Sequence, residues 1–192
     1  MAAVYSRVRE LAATDPVAAH RHWRAGRDLL FARSPDAPLP PGDPLRRTGL
    51  PVWPYDPALR STSPLHDAPA GELELDGGED GPVRMSRVGR VELPVSGRPR
   101  VDVWRLAQYA GGVFLPLRDA TAGAGSYGAG RYLLDTAKGA DLGDRDGELV
   151  IDLNFLYHPS CRYDPGWTCP LAQPGNRIPV PVEAGERMAW PD

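Results

Sequence analysis

The chain has 192 residues, a net charge of −3 and a hydrophobic fraction of 42%, which suits a single domain over residues 1–192 with a hydrophobic core. The acidic balance lacks the basic face that nucleic-acid binding requires, so we expect no nucleic-acid partner. No stretch approaches the roughly 20 apolar residues of a spanning helix, and the first residues lack the apolar segment of a secretory signal. We therefore expect no membrane contact and a cytoplasmic location.

The first element that the sequence predicts is a helix over residues 15–33, whereas residues 1–14 are left as a segment that could be flexible. Asp15 is a favourable N-cap, and Pro16 suits the first helical position. The Ser34-Pro35 pair then marks the end of the helix. Its buried stripe is expected at three apolar positions: Trp23, Leu30 and Phe31.

Prolines recur through residues 34–70 at intervals that exclude a regular helix. Large aromatic side chains stand between these prolines, notably Trp53 and Tyr55. A flexible linker rarely carries that much aromatic surface. We therefore predict a proline-rich strap over residues 34–70 that lies on the domain and is pinned by Trp53 and Tyr55.

Short β-type runs follow the strap and are separated by glycine-rich turns. The predicted strands lie within residues 72–75, 83–93, 100–106, 112–117, 131–134 and 149–155. Many short strands with turn signals between them favour an antiparallel barrel or sandwich. The predicted class is α+β and mostly β, with a split-barrel dimer as one alternative.

Long stretches of the chain resemble one known family. They include the runs 114–121, 127–132 and 151–155, the earlier positions Trp23, Gly49, Leu50 and Pro51, and the later positions Tyr157, Pro159, Cys161, Tyr163, Cys169, Pro170, Asn176, Arg177, Ala184, Gly185 and Glu186. These residues resemble the signature of domain-of-unknown-function family 1684 (DUF1684), from about Trp23 to the end. The family has no settled activity, so the resemblance implies no reaction. The family usually has Asn where this chain has His158, so a role for His158 would be particular to this protein.

A glycine-rich loop over residues 123–130 is flanked by Arg118-Asp119 on one side and by Arg131 on the other. Backbone amides in such a loop can form an anion-binding nest, and arginine adds a bidentate clamp. The loop has no Gly-Lys-Ser/Thr, so it does not match a nucleotide-binding P-loop. The alternative is a tight hairpin in which Arg118 pairs with Asp119 or Asp152.

Asp152 and Asn154 lie two residues apart in a predicted strand, so their side chains are expected on the same face. Buried polar side chains need partners, and Arg118 and Arg131 are the natural candidates. Such a network could position a polar substrate with Asp152 as a general base. It could equally be a structural network.

His158, Cys161 and Cys169 are three side chains of the kind that bind zinc, but their spacing matches no standard site. A disulfide and a Cys161 nucleophile activated by His158 are further alternatives. We favour two packed structural thiols and predict no metal. The nearby aromatic residues could line a ligand pocket or complete the core: Tyr127, Tyr132, Tyr157, Tyr163 and Trp167.

Two functions fit these patterns. The first is an enzyme that acts on a small polar or anionic molecule by acid–base chemistry. Its predicted catalytic residues are Asp152, Tyr127, Tyr157 and His158, and its predicted substrate-binding residues are Arg118, Asp119, Arg131 and Asn154. The second is a non-catalytic ligand-binding or assembly protein with a structural Arg–Asp–Asn network. The cofactor is unknown, with flavin and metal left open, and a homodimer is compatible with either function.

Overall fold

The computed structural model of the protein describes residues 2–75, 81–107, 112–135 and 139–188. Helix α2 (Pro16–Arg33) confirms the predicted helix. The Asp15 carboxylate accepts a hydrogen bond from the backbone amide of Ala18 at 2.9 Å, which caps the first turn. Trp23 and Phe31 are buried as predicted, together with Ala19, His20 and Arg27, whereas Leu30 is only half-buried.

Residues 2–14 form a second helix, α1 (Ala2–Thr14), in a segment for which the sequence predicts no element. Val8 and Ala12 of this helix belong to the hydrophobic core. The helix lies close to α2, since a Cβ built on Gly26 would approach a Val4 methyl to 2.7 Å. Glycine at this position therefore allows the two helices to approach closely.

The larger sheet has five strands in the order β2 (Glu72–Leu75), β3 (Val83–Glu92), β4 (Arg100–Leu106), β5 (Val113–Leu117) and β6 (Arg131–Leu133). Each strand pairs antiparallel with the next one along the chain, as in a meander. The register of β3 and β4 shifts between Arg87 and Gly89, which marks a β-bulge. These five strands agree with the predicted β runs.

The smaller sheet has three strands, in the order β1 (Arg60–Ser63), β8 (Glu148–Asp152) and β7 (Asp144–Arg145). The two antiparallel sheets form a sandwich-like arrangement, and the described residues form no closed barrel. Buried side chains from both sheets and from both long helices make one core, to which Trp23, Val103, Ile151 and Phe155 belong. The fold is mostly β with an N-terminal helical pair, in agreement with the predicted class.

The proline-rich strap contains more regular structure than its composition indicates. It includes a short helix α3 (Leu45–Thr48), a 3-10 turn (Pro57–Leu59) and strand β1, which pairs with β8. Its middle part also bonds to the end of the chain, because the amide of Trp53 donates to the carbonyl of Gly185 at 3.0 Å. The strap is therefore joined to the domain by backbone pairing as well as by aromatic side chains.

Among the helices in the described residues, none is both long enough and apolar enough to cross a membrane.

Candidate functional site

Arg131 and Asp119 form an ion pair at 2.8 Å in which neither side chain is exposed to solvent. Asp119 also accepts hydrogen bonds from the amide and hydroxyl of Thr121 and from the amide of Val182. Burial acts to raise the pKa of the Asp119 carboxyl, but the charge of Arg131 and these donors outweigh it and hold that pKa below its usual value. The pair therefore stabilises the glycine-rich loop from within.

The Arg131 guanidinium is also bonded to the end of the chain. It donates to the carbonyls of Val182, Ala184 and Glu186 and lies 5.1 Å from the centroid of the Trp53 ring. This set of partners leaves Arg131 fully enclosed. The geometry is that of a structural hairpin and does not present Arg131 to an external anion.

Arg118 does not have the partner that we expected. Its side chain is exposed, and its Nε donates to the carbonyl of Gly128 at 2.9 Å. Asp119 pairs with Arg131, and Asp152 pairs with Arg60 at 2.8 Å. The predicted contact of Arg118 with either acid is therefore wrong.

Asp152 ends strand β8, and the chain then turns into a 3-10 helix (Leu153–Phe155), so Asp152 and Asn154 do not share a strand face as predicted. They still meet, because Asp152 caps this helix. Its Oδ1 accepts from the backbone amide of Asn154 at 3.1 Å and from the Asn154 side-chain amide at 2.8 Å. The predicted shared strand face is therefore wrong, and the arginine that pairs with Asp152 is Arg60, where Arg118 or Arg131 was expected.

The second carboxylate oxygen of Asp152 accepts hydrogen bonds from the strap. Its Oδ2 accepts from the Tyr55 hydroxyl at 2.9 Å and from Arg60 at 2.8 Å. Burial and the Asp152 charge raise the pKa of Tyr55, so its hydroxyl stays protonated and donates. With four donors on its two oxygens and almost no exposure, Asp152 has the environment of a structural acid.

A third buried acid, Glu186, accepts from three different segments. Its donors are Arg27 of α2 at 2.7 Å, the backbone amide of His158 at 2.7 Å and the Tyr163 hydroxyl at 3.2 Å. Burial and the nearby arginines hold the pKa of His158 well below its usual value, and its Nε2 accepts from the backbone amide of Tyr127 at 3.1 Å. His158 is thus a neutral acceptor whose Nε2 is occupied.

Several of the predicted site residues therefore belong to three buried networks, one around each acid, whereas Arg118 is exposed and Tyr157 bonds to Asp135. Sequence reasoning missed Arg27 and Arg60, which provide the cations of two of them. A signal for Arg27 existed, because Trp23, Arg27 and Phe31 follow at intervals of four along one helix face. Arg60 carried no comparable signal, since its role depends on the pairing of β1 with β8.

A cavity of about 350 Å³ lies at the sheet face between β6 and the loop 160–170. The described residues that line it are Gly81, Pro82, Val83, Leu106, Phe114, Tyr132, Asp135, Tyr157, Ser160, Trp167, Thr168, Cys169 and Pro170. Of the predicted catalytic residues, only Tyr157 is among them. Asp135 was missed, because one acid after a short strand carries no distinguishing pattern.

The aromatic wall of this cavity is fixed by edge-to-face contacts. The rings of Phe114 and Tyr132 are 4.7 Å apart, and those of Tyr132 and Tyr157 are 5.7 Å apart. The Tyr132 hydroxyl donates to the carbonyl of Pro170 at 2.7 Å, which holds the loop over the sheet. The Tyr157 hydroxyl donates to Asp135, and burial and this carboxylate raise the pKa of Tyr157 well above its usual value.

The two cysteines are free, half-buried thiols in the loop 160–170. The backbone amide of Cys161 donates to the sulfur of Cys169 at 3.4 Å. No three histidine, cysteine or acidic side chains in the described ranges are grouped so that they could hold a metal ion.

The family model described as a protein of unknown function (DUF1684) matches residues 47–187. A solution NMR structure of an uncharacterized protein from Haloarcula marismortui is similar, with 30% identity and a TM-score of 0.59. The similarity covers 86% of this chain and 90% of that one. No curated protein matches the chain significantly.

Proposed function

The chain belongs to the DUF1684 family of proteins of unknown function, and for this member we propose that it binds a small neutral or cationic organic molecule with an apolar or aromatic body. The observation that carries this proposal is the cavity of about 350 Å³ under the loop 160–170, with the Asp135–Tyr157 pair in its wall. A volume in this range suits a small ligand.

The lining of the cavity supports the proposed ligand class. Its walls are mostly aromatic and aliphatic, and the described lining residues include the Asp135 carboxylate but no arginine, lysine or histidine. An acidic side chain in an apolar wall accepts hydrogen bonds from a neutral or cationic donor, whereas an anionic ligand without a donor has no such bond to offer it. The proposed ligand is therefore neutral or cationic, whereas the sequence indicated a polar or anionic substrate.

Outside the cavity, the burial and bonding of the predicted site residues support a binding function over acid–base catalysis. Asp119, Asp152 and His158 are buried and bonded to neighbouring protein groups. A general base needs an oxygen or nitrogen within reach of a substrate proton. Among the described residues, acid–base catalysis is supported where Tyr157 and Asp135 meet in the cavity wall, and there Asp135 would be the base.

Three probes of similar size and different charge test the proposal: 2-phenylethylamine, 2-phenylethanol and phenylacetate. We expect heat of binding in calorimetric titrations with the amine and the alcohol, and at least roughly tenfold weaker binding of phenylacetate because of Asp135. Binding of phenylacetate as tight as that of the amine would contradict the proposed ligand class. An absence of binding by all three would contradict the proposed site.

Asp135→Asn removes the charge and keeps an oxygen that can accept from Tyr157, so it should lower the affinity for the amine and spare the alcohol. Glu183→Gln makes the same change on an exposed side chain outside the cavity lining and serves as the matched control. An equal loss of amine affinity in both variants would assign the effect to overall charge and not to the cavity.

We place this function in the cytoplasm, where free thiols such as Cys161 and Cys169 are kept reduced.

A homodimer stays a prediction, which light scattering of the full chain tests directly.

A further inference from the structure

Two consecutive turns bring Cys169 back beside Cys161. The amide of Tyr163 donates to the carbonyl of Ser160 at 2.9 Å, and the amide of Trp167 donates to the carbonyl of Asp164 at 3.2 Å. The backbone amide of Cys161 donates to the sulfur of Cys169 at 3.4 Å, although the two cysteines are separated by seven residues. Because the turns are closed by backbone bonds, the contact between the two cysteines belongs to the fold of the loop.

The two sulfurs have different surroundings. The Cys161 thiol and the Cys161 backbone amide act as hydrogen-bond donors to Cys169. These donors lower the pKa of Cys169 to about 6, although burial opposes them. The contact with Cys169, together with burial, raises the pKa of Cys161. Cys169 is therefore the more readily ionised of the two sulfurs.

The two cysteines also differ in their place relative to the cavity. Cys169 is in the wall of the cavity, which also includes Trp167, a residue that is 44% exposed. Cys161 is not among the described residues that line the cavity, and its backbone amide donates to the sulfur of Cys169. Cys169 is therefore the cysteine of the pair that a molecule in the cavity contacts.

We propose that Cys161 and Cys169 form a redox-active dithiol that exchanges with small disulfides, in which Cys169 is the attacking sulfur and Cys161 the resolving sulfur. If the two thiols only packed against each other, hydrogen-bond donors would not need to gather on the sulfur of Cys169. Nor would Cys169 need to lie in the cavity wall. The inference does not depend on the proposed ligand binding, because the reaction needs only the loop and a disulfide.

The exchange balances in two steps. The Cys169 thiolate attacks one sulfur of the substrate disulfide, the substrate S–S bond breaks, and the first substrate thiolate leaves. The Cys161 sulfur, after loss of its proton to solvent, then attacks Sγ of Cys169 and releases the second substrate thiolate. The protein loses two electrons as the Cys161–Cys169 bond forms, and the substrate disulfide gains them.

The first test uses the reduced full-length protein and oxidised glutathione, followed by intact mass and peptide mapping. We expect the protein to lose two hydrogen atoms and to yield a peptide pair linked through Cys161 and Cys169. Excess reduced glutathione should restore the starting mass. A final product that carries glutathione and no internal bond would overturn the proposal, as would no reaction.

The second test separates the roles of the two sulfurs. Cys161→Ser keeps a hydroxyl donor beside Cys169 and should accumulate one glutathione adduct at Cys169, since no resolving sulfur remains. Cys169→Ser should react at pH 7 at least roughly tenfold more slowly, because the remaining thiol is mostly protonated. Equal rates, or a faster Cys169→Ser variant, would contradict the assigned order.

Near-ultraviolet circular dichroism establishes that each variant is folded. If a variant does not fold, peptide mapping of the first adduct in the wild-type protein decides the order in its place. An adduct that first occurs at Cys169 supports the assignment, and one that first occurs at Cys161 overturns it.

Discussion

At the scale of single residues, Asp119, Asp152 and Glu186 each collect hydrogen bonds from several donors in regions far apart in the chain. Burial of an acid is costly unless these donors remain in place. Each acid therefore fixes the positions of the groups that donate to it. Loss of one acid leaves buried donors without an acceptor. This is the physical basis for regarding the networks as structural.

Asp119→Asn should lower the free energy of unfolding by about 3–5 kcal/mol, because it leaves the charge of Arg131 buried without compensation. Denaturant titration followed by circular dichroism measures the loss. Glu74→Gln breaks the ion pair with Arg84, in which both side chains are more than half exposed, and should cost no more than about 1 kcal/mol. Similar losses in the two variants would contradict the structural role of Asp119.

His20 predicts a dependence of stability on pH. Burial among aromatic rings lowers the pKa of His20 to about 4, although the Asp152 charge acts in the opposite direction. The unfolded chain therefore binds more protons than the folded protein between about pH 6.5 and pH 4. The contribution of His20 to the free energy of unfolding is therefore complete above the pKa of the unfolded histidine. This contribution is lost as the pH falls through the window.

The expected slope from this one group is about 1.4 kcal/mol of unfolding free energy per pH unit within the window. His20→Gln should remove it, so that denaturation at pH 7 and pH 5 differs by less in the variant than in the wild-type protein. An unchanged difference would show that His20 does not titrate in this way.

At the scale of elements, the sequence predicted those whose signals are local. The N-cap and proline of α2 and the alternation along β4 are signals of this kind, and both elements were placed correctly. Strand β8 was predicted too long, because Asp152 caps a 3-10 helix that an apolar run does not reveal. Helix α1 was missed, since it lacks a marked start and its burial depends on contact with α2.

Asp15→Ala should lower the free energy of unfolding by about 1 kcal/mol, because the amide of Ala18 loses its acceptor. Asp15→Asn retains a side-chain oxygen and should restore most of that loss. Thermal unfolding of the two variants compares them directly. A loss in Asp15→Asn as large as that in Asp15→Ala would assign the effect to charge and not to capping.

At the scale of the whole molecule, the strap and the end of the chain bring the three networks together. Glu186 bridges to Val52 of the strap, and its carbonyl accepts from Arg131. The candidate site could be predicted only in part. Tyr157 was identified, but the cavity also needs Asp135 and the loop 160–170, which meet only after the sheet has formed.

Across these scales, the buried acids hold the fold, and we propose that the cavity beside Tyr157 binds the ligand. Isotope-filtered nuclear Overhauser spectra of the labelled protein with 2-phenylethylamine test this proposal most directly. We expect contacts from the amine to the rings of Phe114, Tyr132 and Tyr157. Contacts confined to other residues, or none at saturating amine, would contradict it.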